Sequence, residues 1–312
     1  MHDYSEVPAG AGEKWAQIVG AGAAGRIHAR ILQRLGWRVQ VYDRDPEAAQ
    51  GFAHETKAQV GAILRGDFPL TVVAVPASAH RAVAEVVLSG GGAVVVEKPL
   101  ALLPADAYWL AAHEAADRRL FVAESQCYGG EDSLDVTRMA QAVQAGALGR
   151  PVQWLISAMT AYHPQAWCDD LGVGGGAFLE GGAHVLTTAR VLFGEAVKWQ
   201  GSVRCYSGGT GPDNGTILVD YAQGDALSLS IGWGTRGCFD GRCKPLMAGG
   251  VLIGPDLCEP WWSPDNHEAM WRHLLRCIGG EAMPVAGLSH AAGAVEDAWR
   301  CYEAAGIVAQ EV

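Results

Sequence analysis

The chain has 312 residues, of which 49% are hydrophobic and 18% are charged, and its formal net charge at pH 7 is -11. This length predicts two domains, and the negative charge argues against a nucleic-acid or anionic-membrane surface, since both reward clustered Lys and Arg. Residues 1–14 lack the apolar core of a signal peptide, and no stretch approaches the roughly 20 apolar residues of a membrane helix. We therefore expect a cytoplasmic protein whose partners include neither a nucleic acid nor a membrane.

The eight cysteines show no CxxC pair. The two nearest in sequence, Cys238 and Cys243, have no His or Cys at zinc-site spacing. We therefore expect free thiols and no metal.

The first apolar run leads directly into a glycine-rich segment. Ile18 and Val19 precede Gly20, Gly22 and Gly25, which are spaced as GxGxxG, and a helical pattern follows them. This order predicts a strand, a tight turn and a helix whose free N–H groups hold a pyrophosphate. The alternative is a glycine-rich turn in another α/β protein, because glycine is abundant here, at 41 of 312 residues.

The next two predicted strands support a dinucleotide site. The strand 38–42 ends on Asp43, where a carboxylate accepts the ribose hydroxyls of NAD, although Arg44 beside it would suit a 2′-phosphate or stack on adenine. The strand 71–75 stops at Pro76, as a strand does where it opens onto a ligand crevice. We therefore expect NAD as the cofactor, with NADP as the alternative.

A further strand, 93–97, presents an acid and an amine at its C-terminal tip, Glu97 and Lys98. Open α/β sheets bind ligands at that edge, so Lys98 is a candidate functional residue; the alternative is a solvated loop pair. Helices are predicted at 45–59, 79–88 and 104–118, and a last strand at 120–123. The alternation predicts a doubly wound parallel sheet, a Rossmann domain over residues 1–125.

Residues 126–312 are predicted to form a second, α+β domain with a largely antiparallel open sheet. Its strands are expected at 152–160, 197–206, 216–221 and 226–233, and its closing helices at 266–278 and 289–305. The last helix is free to pack back on the first domain.

The second domain carries its own candidate catalytic pair. The run Gly174–Gly176 leads into Glu180 and His184 at the start of an amphipathic helix. Residues four apart share a helix face, and a carboxylate that orients an imidazole lets it pass a proton near neutral pH. The alternative is a histidine that caps or packs in the helix.

The segments GAGAAGRIHARIL, VAVPASAH, VVVEKPL, the LGRP turn and GGGAFLEGGAHVLTTARVLFGE together resemble the glucose-fructose oxidoreductase, inositol dehydrogenase and rhizopine-catabolism oxidoreductase (Gfo/Idh/MocA) family. The resemblance runs from about Ala16 to the final helix. It implies an N-terminal Rossmann domain that binds NAD(P), and a C-terminal domain whose sheet carries a small-molecule substrate on one face. The other face often forms oligomer contacts, which implies a homodimer or homotetramer.

The resemblance also implies residue roles. Lys98 would contact the substrate oxygen and the nicotinamide ribose, and His184 would be the general acid or base while a hydride moves between the substrate carbon and nicotinamide C4. Glu180 is the acid of the family's D-x-x-x-H pattern. The expected cofactor contacts are Gly20, Gly22, Ala24, Gly25, Arg26, Ile27, Asp43, Arg44, Val75, Pro76, His80, Glu97 and Lys98. The expected substrate contacts are Lys98, Tyr128, Tyr162, Trp167, Glu180 and His184.

Three positions depart from the family pattern. Glu180 replaces an aspartate, and its longer arm would let the carboxylate contact substrate instead of orienting His184. Thr187 stands where a second aspartate often follows, and Cys127 stands where many sugar-processing members have arginine. These changes argue against an ordinary sugar substrate more than against hydride transfer.

The sequence thus predicts an NAD(P)-dependent oxidoreductase that acts on a ring hydroxyl or ketone carbon of a sugar, cyclitol or related metabolite. One alternative is a C=N or C=C reductase in specialised metabolite biosynthesis. The other is a non-catalytic dinucleotide-binding sensor, although retention of Lys98 and His184 argues against it.

Overall fold

The computed structural model describes residues 14–113, 115–116, 118–129, 136–159, 166–234, 241–243, 246–248, 251–253 and 264–308. Tyr162, one of the expected substrate contacts, lies outside these residues. None of the described helices is long and apolar enough to cross a membrane. Within the same ranges, no three His, Cys, Asp or Glu side chains are grouped as metal ligands would be.

The first sheet has six strands, all parallel, in the order β3-β2-β1-β4-β5-β6. The strands are β1 (Trp15–Val19), β2 (Arg38–Tyr42), β3 (Gln59–Val60), β4 (Leu70–Val73), β5 (Ala93–Glu97) and β6 (Leu120–Ala123). The helices between them are α1 (Ala23–Arg34), α2 (Pro46–Thr56), α3 (His80–Leu88) and α4 (Pro104–Ala111). The predicted doubly wound sheet is confirmed, and its strand order reverses between β1 and β4, where such folds bind their ligands.

The helix predicted at 104–118 is too long, because α4 ends at Ala111. Just beyond it, the Ala115 N–H donates to His113 Nδ1 at 3.1 Å instead of to a helical carbonyl. A side chain that offers the backbone another acceptor competes with helix formation. The turn that results leads the chain into β6.

The second sheet is mixed and largely antiparallel, as predicted, with the order β13-β12-β7-β10-β9-β8 and β11 also paired to β7. Its strands are β7 (Val152–Met159), β8 (Ala196–Arg204), β9 (Asn214–Tyr221), β10 (Ala226–Gly232), β11 (Gly241–Cys243), β12 (Leu246–Ala248) and β13 (Val251–Ile253). The pair β7 and β10 is parallel. The remaining helices are α5 (Val136–Gln144), α6 (Ala177–Glu180), α7 (Ala183–Phe193), α8 (Pro264–Ile278) and α9 (Leu288–Ala304).

Both C-terminal helices contact the first sheet's unit. The indole N–H of Trp299 on α9 donates to the Leu102 carbonyl at 2.7 Å, and that of Trp271 on α8 donates to His28 Nδ1 at 2.8 Å. A buried ion pair between Arg190 and Asp297, with two contacts of 2.7 Å, joins α7 to α9. The helices that carry candidate catalytic residues are thereby fixed to the edge of the Rossmann sheet.

Candidate active site

The three glycines of the first loop occupy three different environments. Gly20 has a φ of +109°, and a Cβ there would lie 2.2 Å from the Ala74 carbonyl oxygen. A Cβ at Gly25 would lie 2.3 Å from the Gly20 carbonyl oxygen, whereas at Gly22 it would meet nothing within 4 Å. Gly20 therefore permits the turn, Gly25 permits close packing of α1 on β1, and Gly22 leaves the approach to the helix open.

The N-terminus of α1 is suited to a phosphate. Its N-cap residue, Gly22, offers no side-chain cap, and the first helical hydrogen bond runs from the Arg26 N–H to the Gly22 carbonyl at 3.2 Å. The N–H groups of Ala23, Ala24 and Gly25 precede that bond and have no partner within the helix. Such N–H groups, together with the positive end of the helix, bind anions, so this loop fits a dinucleotide pyrophosphate.

The Asp43 carboxylate is held at the same loop. Its Oδ2 accepts from the Ala21 N–H at 2.7 Å and its Oδ1 accepts from the Asp45 N–H at 2.9 Å. Arg44 is exposed, and Arg26 forms an ion pair with Glu55 at 2.9 Å. The carboxylate predicted to meet the ribose therefore lies beside the phosphate loop, with Arg44 next to it in sequence.

His80 joins two strand ends at the crevice. Its Nε2 lies 2.8 Å from the Val75 carbonyl oxygen, and its Nδ1 lies 2.9 Å from the Pro99 carbonyl oxygen. The ring is buried, and burial lowers its pKa. His80 begins α3, but both ring nitrogens contact loop carbonyls, so its side chain fixes the segment that carries Lys98.

Glu97 is anchored to the protein by both carboxylate oxygens. His28 Nδ1 accepts from the Trp271 indole, so its proton is on Nε2, which donates to Glu97 Oε1 at 2.7 Å. Glu97 Oε2 accepts from the Lys98 N–H at 2.9 Å. Burial alone would raise the pKa of Glu97, but the His28 hydrogen bond and the nearby positive charges lower it to about 2. Glu97, expected to contact the cofactor, is engaged here in fixing the backbone at Lys98.

The Lys98 ammonium is directed at Glu180. Its Nζ donates to Glu180 Oε1 at 2.8 Å and to the Glu180 carbonyl at 2.9 Å. Burial would lower the pKa of Lys98, but the charges of Glu180 and Glu97 outweigh it and raise that pKa. Lys98 is therefore a cation at neutral pH, with one of its three N–H groups left for another acceptor.

The predicted pairing of Glu180 with His184 is wrong. His184 Nδ1 instead pairs with Oε1 of Glu124, a residue that is 1% exposed and directly follows β6. Two glycines separate the helices, so Glu180 ends α6 while His184 lies in the first turn of α7. Since an ionised carboxylate only accepts, His184 carries its proton on Nδ1 and leaves Nε2 free to accept a proton.

Three important residues were missed by the sequence reasoning. Glu124 had a usable signal, since it directly follows the buried strand β6 just as Lys98 directly follows β5. His28 and Trp271 had none, because they are 243 positions apart and meet only through the packing of α8 on α1.

The other expected substrate contacts are less involved. Tyr128 is buried, and its hydroxyl accepts from the Val285 N–H at 3.3 Å. Trp167 is exposed. Cys127 is buried, with its Sγ 3.5 Å from Thr188 Oγ1. The described site thus centres on Lys98 and His184.

Comparison with known proteins agrees with this architecture. Residues 16–124 match the family model described as "Oxidoreductase family, NAD-binding Rossmann fold", and residues 136–245 match "GFO/IDH/MocA C-terminal domain". D-apiose dehydrogenase from Paraburkholderia graminis is 27% identical over 70% of this chain and 60% of its own length. Inositol 2-dehydrogenase 1 from Saccharopolyspora erythraea is 34% identical over 43% of this chain and 42% of its own length.

The matches to these curated relatives thus span about half of each relative's length. Among solved structures, GenD2 from gentamicin A biosynthesis, in complex with NAD, has the same fold, with a TM-score of 0.79 and 22% identity over 94% of each chain. The two family models together cover most of the chain. The protein therefore belongs to the Gfo/Idh/MocA family of oxidoreductases, and its N-terminal unit is the family's NAD-binding Rossmann fold.

Proposed function

We propose that the protein is an NAD-dependent dehydrogenase that acts on a ring carbon bearing a hydroxyl or ketone, in a sugar, cyclitol or related metabolite. The observation that carries this proposal is that Lys98 and His184 are each held by their own carboxylate, Lys98 by Glu180 and His184 by Glu124. Glu180 ends α6 and His184 lies in the first turn of α7, two glycines further on. A cationic hydrogen-bond donor and a proton-transfer group thus meet beside the Rossmann crevice.

Lys98 polarises the substrate oxygen in this proposal. Two of its N–H groups are held by Glu180, which fixes the direction of the third. A fixed cationic donor stabilises negative charge that develops on the oxygen as the C–H bond is broken or formed.

His184 transfers the hydroxyl proton. In alcohol oxidation Nε2 takes the proton, and in ketone reduction the imidazolium returns it. The Glu124 carboxylate at Nδ1 keeps the ring in the required tautomer and stabilises the imidazolium. Glu124 is therefore a positioning residue that acts through His184.

The cofactor site supports NAD rather than NADP. The α1 N-terminus and the open approach at Gly22 would hold the pyrophosphate, and the Asp43 carboxylate would accept the ribose hydroxyls and repel a 2′-phosphate. When bound, the nicotinamide supplies the hydride acceptor or donor. Arg44 would favour NADP by binding its 2′-phosphate, but in this proposal the repulsion by Asp43 decides the preference for NAD.

The division into a Rossmann domain of residues 1–125 and a second domain of residues 126–312 remains a proposal, as does assembly into a homodimer or homotetramer. The second sheet offers a suitable face, since Leu155 and Leu218 are 38% and 40% exposed. Both lie opposite Ser228 of the central strand, so they share that face.

The experiment mixes the purified protein with NAD or NADP and a panel of sugars and cyclitols, and follows NADH or NADPH by absorbance. We expect reduction of NAD by at least one polyol, and binding of NAD with a kcat about 10³-fold lower in Lys98→Ala. Oxidation of NADPH by imines or alkenes alone would favour the C=N or C=C reductase. Binding of NADH with no turnover of any compound would favour the sensor.

A further inference from the structure

We propose that Trp271 of α8 is a positioning residue for the reaction, because its indole N–H fixes the tautomer and orientation of His28, on which the anchoring of Lys98 depends. The inference rests on the proposed function and adds a distant residue to the same site. The geometry that carries it is an unbroken row of buried hydrogen bonds, which leads from Trp271 through His28 and Glu97 to the backbone of Lys98.

The row is shielded from solvent along its length. Trp271 and His28 are both 0% exposed, and Glu97 is 8% exposed. The Trp271 indole donates to His28 Nδ1 at 2.8 Å, and His28 Nε2 donates to Glu97 Oε1 at 2.7 Å. Glu97 Oε2 accepts from the Lys98 N–H at 2.9 Å. A partner lost from such a buried row leaves a polar group unsatisfied, which costs free energy and favours rearrangement.

The Trp271 indole selects one protonation state of His28. An indole N–H only donates and an ionised carboxylate only accepts, whereas a neutral imidazole has one nitrogen for each role. The tautomer with its proton on Nε2 satisfies both neighbours. The other tautomer would set two donors face to face at Nδ1 and two acceptors face to face at Glu97, and the imidazolium would set a donor against the indole. Trp271 therefore fixes both the protonation state and the orientation of the ring.

Glu97 transmits this constraint to Lys98. The carboxylate is planar, so the donors at its two oxygens, His28 Nε2 and the Lys98 N–H, set its direction together. Lys98 directly follows β5, and its ammonium is held at the other end by Glu180. Without the Trp271 N–H, His28 Nδ1 is a buried acceptor that lacks a donor, and the ring turns away from its position. The hold of Glu97 on the Lys98 backbone is then weakened.

The expected loss is partial, because the segment has a second anchor. His80 Nδ1 lies 2.9 Å from the Pro99 carbonyl oxygen, and this contact involves no residue of α8. Misplacing a reacting group by about 1 Å costs about 10²-fold in rate. We therefore expect removal of the Trp271 N–H to lower kcat by about tenfold and to leave KM and NADH affinity near wild type.

The test compares Trp271→Phe with a matched control in the NAD-loaded full chain. Trp271→Phe keeps a buried aromatic ring and removes the N–H. Trp199→Phe on β8 removes an indole N–H that donates to the buried Asp297 carboxylate at 2.7 Å and takes no part in the row. The values of kcat and KM are measured with the sugar or cyclitol of the panel that reduces NAD, and NADH affinity is measured by fluorescence titration. We expect the fall in kcat in Trp271→Phe and not in Trp199→Phe.

The Lys98 amide tests the row without any substrate. Its N–H donates to Glu97, so its hydrogen exchange, followed by NMR, should be faster in Trp271→Phe than in wild type and unchanged in Trp199→Phe. NMR of nitrogen-labelled histidine, which distinguishes protonated from unprotonated ring nitrogens, should show His28 Nδ1 unprotonated in wild type.

His28→Asn is a second variant that breaks the row at another point, since asparagine has no atom in the place of Nε2. It should lower kcat at least as much as Trp271→Phe does. The double variant should be no slower than His28→Asn alone, because both changes break the same row and their effects do not add.

A fall in kcat at constant KM, together with faster exchange at Lys98, would support the inference if it occurs in Trp271→Phe and not in Trp199→Phe. Unchanged exchange at Lys98, equal falls in kcat in both variants, or a protonated His28 Nδ1 in wild type would overturn it and leave the proposed dehydrogenase standing. Faster exchange in Trp271→Phe, with no compound turned over by wild type, would overturn the role in the reaction together with the proposed function.

Discussion

The cofactor loop and the proton-transfer cluster lie at the same edge of the Rossmann sheet, but they are built differently. The loop is made of backbone, and its glycines Gly20, Gly22 and Gly25 lie within six residues. The carboxylate that contacts the loop, that of Asp43, is 22 positions from the Ala21 N–H that donates to it. The cluster is made of side chains from distant segments, with Lys98 and Glu180 82 positions apart and Glu124 and His184 60 apart. The loop depends on shape, and the cluster depends on charge.

This difference separates the expected consequences of mutation. A change in the loop that respects its shape should alter cofactor affinity and leave the chemical step intact. A change in the cluster that respects its shape should alter the chemical step and leave cofactor affinity intact.

The largest effect is expected at Lys98. Lys98→Ala removes the cation that polarises the substrate oxygen, and kcat should fall by about 10³-fold. The NADH dissociation constant, measured by fluorescence titration, should change much less. A fall in kcat of less than tenfold would remove Lys98 from the mechanism.

The next largest effect concerns stability at low pH. The folded-state pKa of Glu97 is lowered from 4.5 to about 2, so its contribution to stability is present above pH 4.5 and is lost as the pH falls toward 2. Between pH 4.5 and pH 2, the free energy of unfolding measured in urea should fall by about 3 kcal/mol more for wild type than for Glu97→Gln. Glu268→Gln, which removes a partly exposed carboxylate paired with Arg34, is the control and should show a smaller change. A constant difference between wild type and Glu97→Gln across that range would show that Glu97 is not ionised in the folded protein as described.

Glu124→Gln should lower kcat by about 10²-fold, because the amide oxygen still accepts from Nδ1 but does not stabilise an imidazolium. KM and NADH affinity should remain near wild type, which separates a positioning role from a structural one. Glu124→Asp should recover part of kcat. A variant in which KM rises and kcat is unchanged would contradict the role assigned to Glu124.

The smallest effect is expected at Gly22, where an added Cβ has open space in the protein itself. Gly22→Ala should fold normally and bind NADH about tenfold more weakly, since the methyl group stands where the pyrophosphate approaches. Gly51→Ala, at an equally open position on α2 and also without a positive φ, is the control for stability and should leave NADH affinity unchanged. Unchanged affinity in Gly22→Ala would mean that the pyrophosphate does not bind at this loop.

The difference between a local loop and a cluster of distant side chains explains which parts of the site could be predicted from the sequence. The loop was predictable because its function follows from residue types within one strand-turn-helix unit, and the contacts of Gly20 and Gly25 agree with that interpretation. Lys98 was predictable because a buried strand ending on a charged residue is a local signal.

The partner of His184 was mispredicted because helical spacing was applied across a helix break. A Cβ at Gly182 would lie 2.5 Å from the Phe178 carbonyl oxygen, and this close approach belongs to the junction between α6 and α7. Glu124 follows β6 of the first sheet, 60 positions before His184, and the contact of Trp271 with His28 depends on α8 returning to α1. Such pairings arise from tertiary packing, which residue spacing does not record.

The central claim is that the His184 imidazole transfers the substrate proton while the glycine loop independently holds the cofactor. The most direct test is the single-turnover rate of NADH formation in His184→Ala, saturated with NAD, with and without added imidazole. The account predicts a rate at least 10²-fold below wild type, partly restored by imidazole in solution, with unchanged NAD affinity. A rate near wild type, or a slow rate that imidazole does not raise at any concentration, would contradict it.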